Sequence, residues 1–424
     1  MVAVLGGGIS GISAAYHLKQ RGIESFVFEK NARWGGLLDN FTIGNGFRFD
    51  YFVHLSFTED EYVKKLFAES AAYISHHPSS INYYHGLWLK HPVQNNLALL
   101  SAAEKVKIIK DFVEKPAISE PANYYEWLLL QFGKYFTDNF PGPYTNKYWT
   151  LPAEELSTDW VGKRFSIPAL EALLKGAFEE QEENFYYARE MRYPKQGGYK
   201  SFVNLMANQV NIKTGKMAVL VDVENKRVEF ADGSSVYYET LVSSIPLPEL
   251  VGIIKDAPFN VKEAADKLIA TKGQLVSLGF NRPDVPSHLW FYIYDESILP
   301  SRGYSPSVKS PDNAPEGKSS IQFETYYSKN KPPKLIGNAL IEHVIEQGEK
   351  MKLFTAADVE VSDYRHVNYA NVIFDHNRAA NRATVQNYLD NCGIKYVGRF
   401  GEWDYLWSDQ SLLSGKKCAA SISA

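Results

Sequence analysis

An α/β fold is predicted for this chain of 424 residues by three observations. A glycine turn joins an apolar strand to a helix at the amino terminus, helix-patterned segments cover residues 101–136, and strand-like alternation dominates beyond residue 217. Together they describe a Rossmann-type domain built on a parallel sheet, an inserted helical domain and an antiparallel substrate-binding sheet. The chain is expected to divide into a nucleotide-binding domain in three parts (1–80, 191–250 and 371–424), a mostly helical insertion (81–190) and a substrate-binding sheet with helices (251–370). A chain of this length exceeds one small core, so interleaved domains are expected.

The amino-terminal unit is the strongest signal. Val2–Leu5 is a short apolar run suited to a buried parallel strand, and Gly6, Gly8 and Gly11 follow it as G-x-G-x-x-G. The first glycine permits a tight turn, the second lets backbone N–H groups approach a pyrophosphate, and the third lets helix and strand pack closely. Ile9 and Ser10 lie inside that turn, where a phosphate meets the positive end of the helix dipole. Residues 12–20 have helical apolar spacing and Gly22 ends them. A second strand at 27–28 delivers Glu29, eighteen positions after Gly11, with Lys30 beside it. A carboxylate there accepts both hydroxyls of an adenosine ribose.

Composition narrows the partners. A net charge of −4 argues against nucleic acid and anionic membrane surfaces. The two cysteines, Cys392 and Cys418, stand in no metal-ligand spacing, so free thiols and no metal site are expected. No apolar run is long enough to span a bilayer, and the chain opens on a strand, so a cytoplasmic location is expected. Twenty-seven tyrosines suit a site lined by planar rings.

Downstream of Glu29, Arg33-Trp34-Gly35-Gly36 and Leu37 resemble the second phosphate-contacting turn of FAD-binding oxidoreductases of the amine oxidase and protoporphyrinogen oxidase type. The resemblance implies FAD as cofactor. In such enzymes the segment matching 47–54 runs beside the flavin and usually carries a glycine just before its histidine. Here Phe52 and Val53 stand where glycine and a small residue or proline are expected, which argues against a glycine-dependent movement of that wall. His54 aligns and is expected to face the flavin, among the catalytic candidates.

Residues 82–97 read as a hairpin turning at His85-Gly86, followed by Asn95 and Asn96, whose carboxamides suit polar substrate groups. Ser101 with Glu104 forms a capping box for a helix over 101–115, and 123–136 continues helical. Then Pro143-Tyr144-Thr145-Asn146-Lys147-Tyr148-Trp149 and, further on, Trp160-Val161-Gly162-Lys163-Arg164 are similar to the UDP-galactopyranose mutases, flavoenzymes that interconvert pyranose and furanose rings of a UDP-sugar. This resemblance implies that Tyr144 and Trp149 line the nucleotide and that Arg164 meets the diphosphate.

The later chain adds patches of the same resemblance. Arg192–Tyr199 resembles the return to the nucleotide-binding domain, and 217–244 is β-rich with an Asp232-Gly233 turn, its start near Val219 placed against the adenine by resemblance. Residues 274–280 and 290–294 read as strands. Arg302 matches a substrate arginine, although Ser301 replaces the tyrosine that often precedes it, and Asn371 replaces an expected tyrosine. The block 396–410 gives Gly398, Arg399, Asp409, Gln410 and, just beyond, Ser411 as flavin contacts. There Tyr405 matches a diphosphate-holding tyrosine, and a last helix ends near Gly415.

What the resemblance implies is a mutase acting through reduced flavin, in surface polysaccharide synthesis, with NAD(P)H a candidate electron donor. Two other readings remain open. One is an FAD oxidase removing hydride from an amine or a C–C bond, with Trp403 and Tyr405 caging a cationic amine. The other is a protein that binds flavin or a nucleotide sugar without turnover.

Overall fold

The computed structural model describes residues 1–162, 167–181 and 188–423. Among them, five strands form one parallel sheet in the spatial order Lys395–Tyr396, Thr240–Ser243, Val2–Leu5, Ser25–Phe28, Asn211–Lys213. Every residue of the central Val2–Leu5 strand is buried, as a strand covered on both faces requires. The helix Ile9–Gln20 follows directly, starting sooner than the apolar spacing at 12–20 predicts because the glycine turn itself supplies its first residues. It packs against the carboxy-terminal helix Ser408–Ser421. That helix runs past its predicted end at Gly415. Gly415 is not a stop but a contact point, since a Cβ there would run into the Ser10 carbonyl oxygen.

A three-stranded antiparallel sheet, Ala218–Asp222, Arg227–Phe230 and Ser235–Tyr237, turns at Asp232-Gly233 as its sequence predicts. It packs on the parallel sheet through Phe28 and Phe230, whose rings lie 4.8 Å apart.

The second large sheet has seven strands in the order Val359–Val372, Ala270–Phe280, Ser319–Tyr327, Arg302–Tyr304, Trp290–Ile293, Ser80–Tyr84, Leu87–Lys90. All pairs are antiparallel except Trp290–Ile293 with Ser80–Tyr84. Strand alternation gives this sheet two characters. Val276, Leu278, Phe291, Ile293, Ile321 and Phe323 point to one face, where Leu340 and Val344 of the helix Asn338–Lys350 cover them. Tyr292, Arg302, Glu324 and Tyr326 alternate with them on the other face.

The inserted helices Ala102–Val113, Tyr124–Phe132, Lys134–Asn139, Pro141–Tyr148 and Leu170–Phe178 stand over that second face. The predicted capping box forms, with both Ser101 and Glu104 making their reciprocal bonds. The helix predicted over 123–136 breaks at Gly133, which adopts φ +77° where its backbone meets Asp111. Both cysteines are free thiols. Among the described residues no helix is long and apolar enough to cross a membrane, and no His/Cys/Asp/Glu group could hold a metal.

Candidate active site

A cleft of about 1300 Å³ runs from the amino-terminal glycine turn to the space between the seven-stranded sheet and the inserted helices. Its near end is built from backbone. Gly6 turns at φ +97° and Gly8 caps the first helix without a side chain, so the first-turn N–H groups of Ile9, Ser10 and Gly11 lack intrahelical acceptors. Gly11 lies behind this floor, where any Cβ would strike the Gly6 carbonyl oxygen. A Cβ on Gly8, by contrast, would meet no protein atom within 4 Å.

Glu29 is buried and oriented by three donors: the Gly7 amide at 2.7 Å, and the Asn31 amide and Nδ2, both at 2.8 Å. Gly35 donates to the Gly7 carbonyl at 2.8 Å, bringing the second glycine turn against the first. Lys30, Arg33, Gly35, Gly36 and Leu37 line the cleft here, with Arg33 paired to Asp39 at 2.7 Å. From the other end of the chain come Gly398, Asp409 and Ser411. Gly398 takes φ +80° and packs so closely on Ser10 that a Cβ would collide with its hydroxyl. Two backbone cradles, a held carboxylate and this return segment fit the phosphates and adenosine of a dinucleotide such as FAD. The cleft wall near Val219 is formed by Lys216, Met217 and Ala218, while Val219 is exposed. Gln410 is exposed as well and accepts from the Trp407 amide at 2.9 Å.

The middle of the cleft is walled by residues 51–58. Phe52 holds φ +68°, the left-handed backbone that a glycine would supply, with its ring stacked on Tyr326 (5.8 Å, 8°). His54 is half-buried in the cleft wall, 5.2 Å from the Tyr199 ring. Burial pushes its imidazole down to about 4, with Asp50 opposing and Lys309 and Arg399 reinforcing the shift. It is therefore neutral at pH 7.

The far end is aromatic and holds two arginines. Tyr144 and Tyr148, one helical turn apart, stack at 5.6 Å, and Tyr292 meets Tyr144 edge-on at 5.5 Å. Trp149 meets Tyr405 at 5.3 Å. Arg302 donates through Nε to Glu324 and through Nη2 to the Tyr326 hydroxyl at 3.0 Å, lying 5.2 Å over the Tyr148 ring. Burial pulls against its charge, but Glu324 and the surrounding tyrosines outweigh it and hold the guanidinium above its ordinary range. Burial likewise raises the phenols of Tyr144, Tyr148 and Tyr326 far above theirs, keeping them protonated donors. Arg399 donates to the Leu406 carbonyl at 2.8 Å and to Oδ1 of Asn371 at 3.3 Å.

The structure thus brings Tyr144, Trp149, Arg302, Asn371, Arg399, Tyr405 and His54 into one cleft. Arg164 lies outside the described residues. Asn95 and Asn96 are buried outside the lining, where Asn96 donates to the Pro92 carbonyl at 3.0 Å and accepts from the Gln181 amide, while Gln94 reaches the cleft. Trp403 is also fully buried outside the lining, so it makes no cage with Tyr405. Sequence reasoning missed Glu324, Tyr326, Tyr292 and Tyr148. Tyr148 carried a signal, its i+4 spacing from Tyr144. The strand residues carried none, since their partners come from distant strands.

With this geometry in view, a family model described as an NAD(P)-binding Rossmann-like domain matches residues 4–70. The crystal structure of a reduced UDP-galactopyranose mutase superposes with a TM-score of 0.92 at 24% identity, covering 99% of this chain and 94% of that one. A structure from Exiguobacterium sp. 255-15, assigned as a protoporphyrinogen oxidase, superposes at 0.77 with 14% identity over 99% and 98% of the two chains. A wild-type putrescine oxidase bound to putrescine superposes at 0.65 with 15% identity, again over 99% and 98%. The chain has the fold that these enzymes share.

Proposed function

We propose that this protein is an FAD-dependent mutase that interconverts pyranose and furanose forms of a UDP-sugar. The observation that carries the reading is the continuity of the cleft: a dinucleotide cradle at one end opens into an aromatic chamber holding Arg302 and Arg399 at the other. The similarity in fold to the reduced UDP-galactopyranose mutase supports the same choice. Glu29 and the two glycine turns would hold the adenosine and phosphates of FAD. Reduced flavin, when bound, supplies the nucleophile for the anomeric carbon.

The chain's own task is to bind, orient and dehydrate. A UDP leaving group carries negative charge that must be held while the sugar rearranges, and Arg302 and Arg399 supply cations beside the rings of Tyr148 and Tyr405. Rings from the inserted helices and the sheet exclude water around them, which strengthens each of these interactions. The neutral His54 imidazole adds no charge to the middle of the cleft, where the flavin ring would lie.

The amine oxidase reading loses its aromatic cage because Trp403 is outside the cleft, and Arg302 would repel a cationic substrate. The deciding experiment is to purify the protein, measure bound flavin, reduce it, and follow a panel of UDP-sugars by chromatography. Exchange between pyranose and furanose forms, only with reduced flavin, is the expected result. Oxygen consumption with amines and no exchange would replace this reading with an oxidase, and absence of flavin after reconstitution would remove both.

A further inference from the structure

We infer that Phe52 is a positioning residue for Arg302, joining the flavin-side wall and the anion-binding arginine into one mechanical unit. The inference rests on the reading of Arg302 as a substrate ligand.

Phe52 occupies the left-handed region at φ +68°, which a residue with a large side chain adopts only when its surroundings impose it. Its ring fills a notch made by Gly273, where any Cβ would collide with the ring edge. The same ring lies parallel on Tyr326. Tyr326 in turn donates its hydroxyl to Glu324 and accepts from Arg302. The next amide closes a second path to the same ion pair, because Val53 N–H donates to Oε1 of Glu324 at 2.7 Å while Oε2 accepts from Arg302. Arg302 is therefore held both through the ring of Phe52 and through the peptide beside it.

The far side of the segment is anchored as well. Asp50, fully buried, accepts from Lys309 at 2.8 Å and from Tyr193 at 2.7 Å, and its carbonyl accepts from Tyr304 at 3.1 Å. Ser56 exchanges two backbone bonds with Arg192. With both ends fixed, the ring of Phe52 sets where Tyr326 stands.

Phe52→Gly separates this role from backbone strain, since glycine adopts the same φ freely and only the ring is lost. The test measures UDP affinity of the flavin-loaded protein by calorimetry and amide hydrogen exchange at Val53. Phe52→Gly is expected to weaken UDP binding about tenfold and to accelerate exchange at Val53, while in an Arg302→Ala background it changes UDP affinity less than twofold. An equal loss in both backgrounds would show action elsewhere than through Arg302 and would overturn the inference, as would unchanged affinity in the single variant. Should the wild-type protein bind no UDP, the nucleotide-sugar reading fails separately and exchange alone decides. Acceleration at Val53 in both Phe52→Gly and Arg302→Ala then supports the unit, and anything less overturns it.

Discussion

The Tyr148 hydroxyl donates to Oδ1 of Asn371 at 3.3 Å and lies 3.2 Å from the hydroxyl of Tyr405. Asn371 also accepts from Arg399, so one carboxamide oxygen gathers two donors at the place where the sequence departs from the mutase pattern. Removing it as Asn371→Ala leaves Tyr148 and Arg399 without a shared acceptor and free to change direction. We expect UDP affinity to fall by roughly ten- to a hundredfold, the range of one lost hydrogen bond to a charged group, about 1.5–3 kcal/mol. Calorimetric titration with UDP checks this, and an unchanged dissociation constant would remove Asn371 from the diphosphate end.

The glycine turn allows cofactor binding to be separated from folding. A Cβ at Gly8 meets no protein atom within 4 Å, whereas one at Gly11 would strike the Gly6 carbonyl. Gly8→Val should therefore leave the thermal midpoint of the flavin-free protein within a few degrees of wild type while abolishing flavin retention on purification. Gly11→Ala should cost about 1–3 kcal/mol of stability by overpacking. Absorbance at the flavin band and a melting curve of each apoprotein report the two effects. Retention of flavin by Gly8→Val would place the cofactor elsewhere.

Local signals made the first of these regions legible. Strand, turn, helix and acid at 2–29 follow one another within a short stretch, so period and punctuation predict them, and the structure assembles them in that order. The capping box at Ser101 and the hairpin turn at His85-Gly86 were readable for the same reason. The Glu324–Arg302–Tyr326 cluster was not. Arg302 and Glu324 face each other only because two strands pair in a particular register, and Tyr326 meets Phe52 across more than half the chain. Phe52 shows the limit most clearly. Its sequence says that glycine is missing, whereas the structure keeps the glycine-like φ and fills the space with a ring.

Two half-buried histidines of the cleft tie stability to pH. Burial lowers His54 to about 4 and His91 to about 3, against an ordinary value of 6.5. As pH falls below about 6.5 the unfolded chain takes up protons that the folded chain refuses, so these groups contribute a loss of stability on acidification and no change above that range. Between pH 7 and pH 5 the His54 contribution is about 2 kcal/mol. Urea unfolding at those two pH values should show a smaller drop for His54→Gln than for wild type. Equal drops in the two proteins would mean that His54 is charged or solvated in the fold.

Arg302 is expected to show its binding role and its structural role in different variants. Glu324 is fully buried and pairs with Arg302, so Arg302→Ala leaves a carboxylate in the core facing only Tyr326 and the Val53 amide. Losing one partner of a buried pair typically costs about 3–5 kcal/mol, and losing a charged ligand contact costs binding of about 2–5 kcal/mol. Both a lower unfolding midpoint and a large loss of UDP affinity are therefore expected. Adding Glu324→Gln removes the uncompensated charge while the amide still accepts from Val53, so the double variant should regain most of the stability. It should regain none of the UDP affinity, because the cation is still absent. Recovery of both together would mean that Arg302 serves only to neutralise Glu324, and the anion at this end of the cleft would then have to be held by Arg399 and the tyrosines alone.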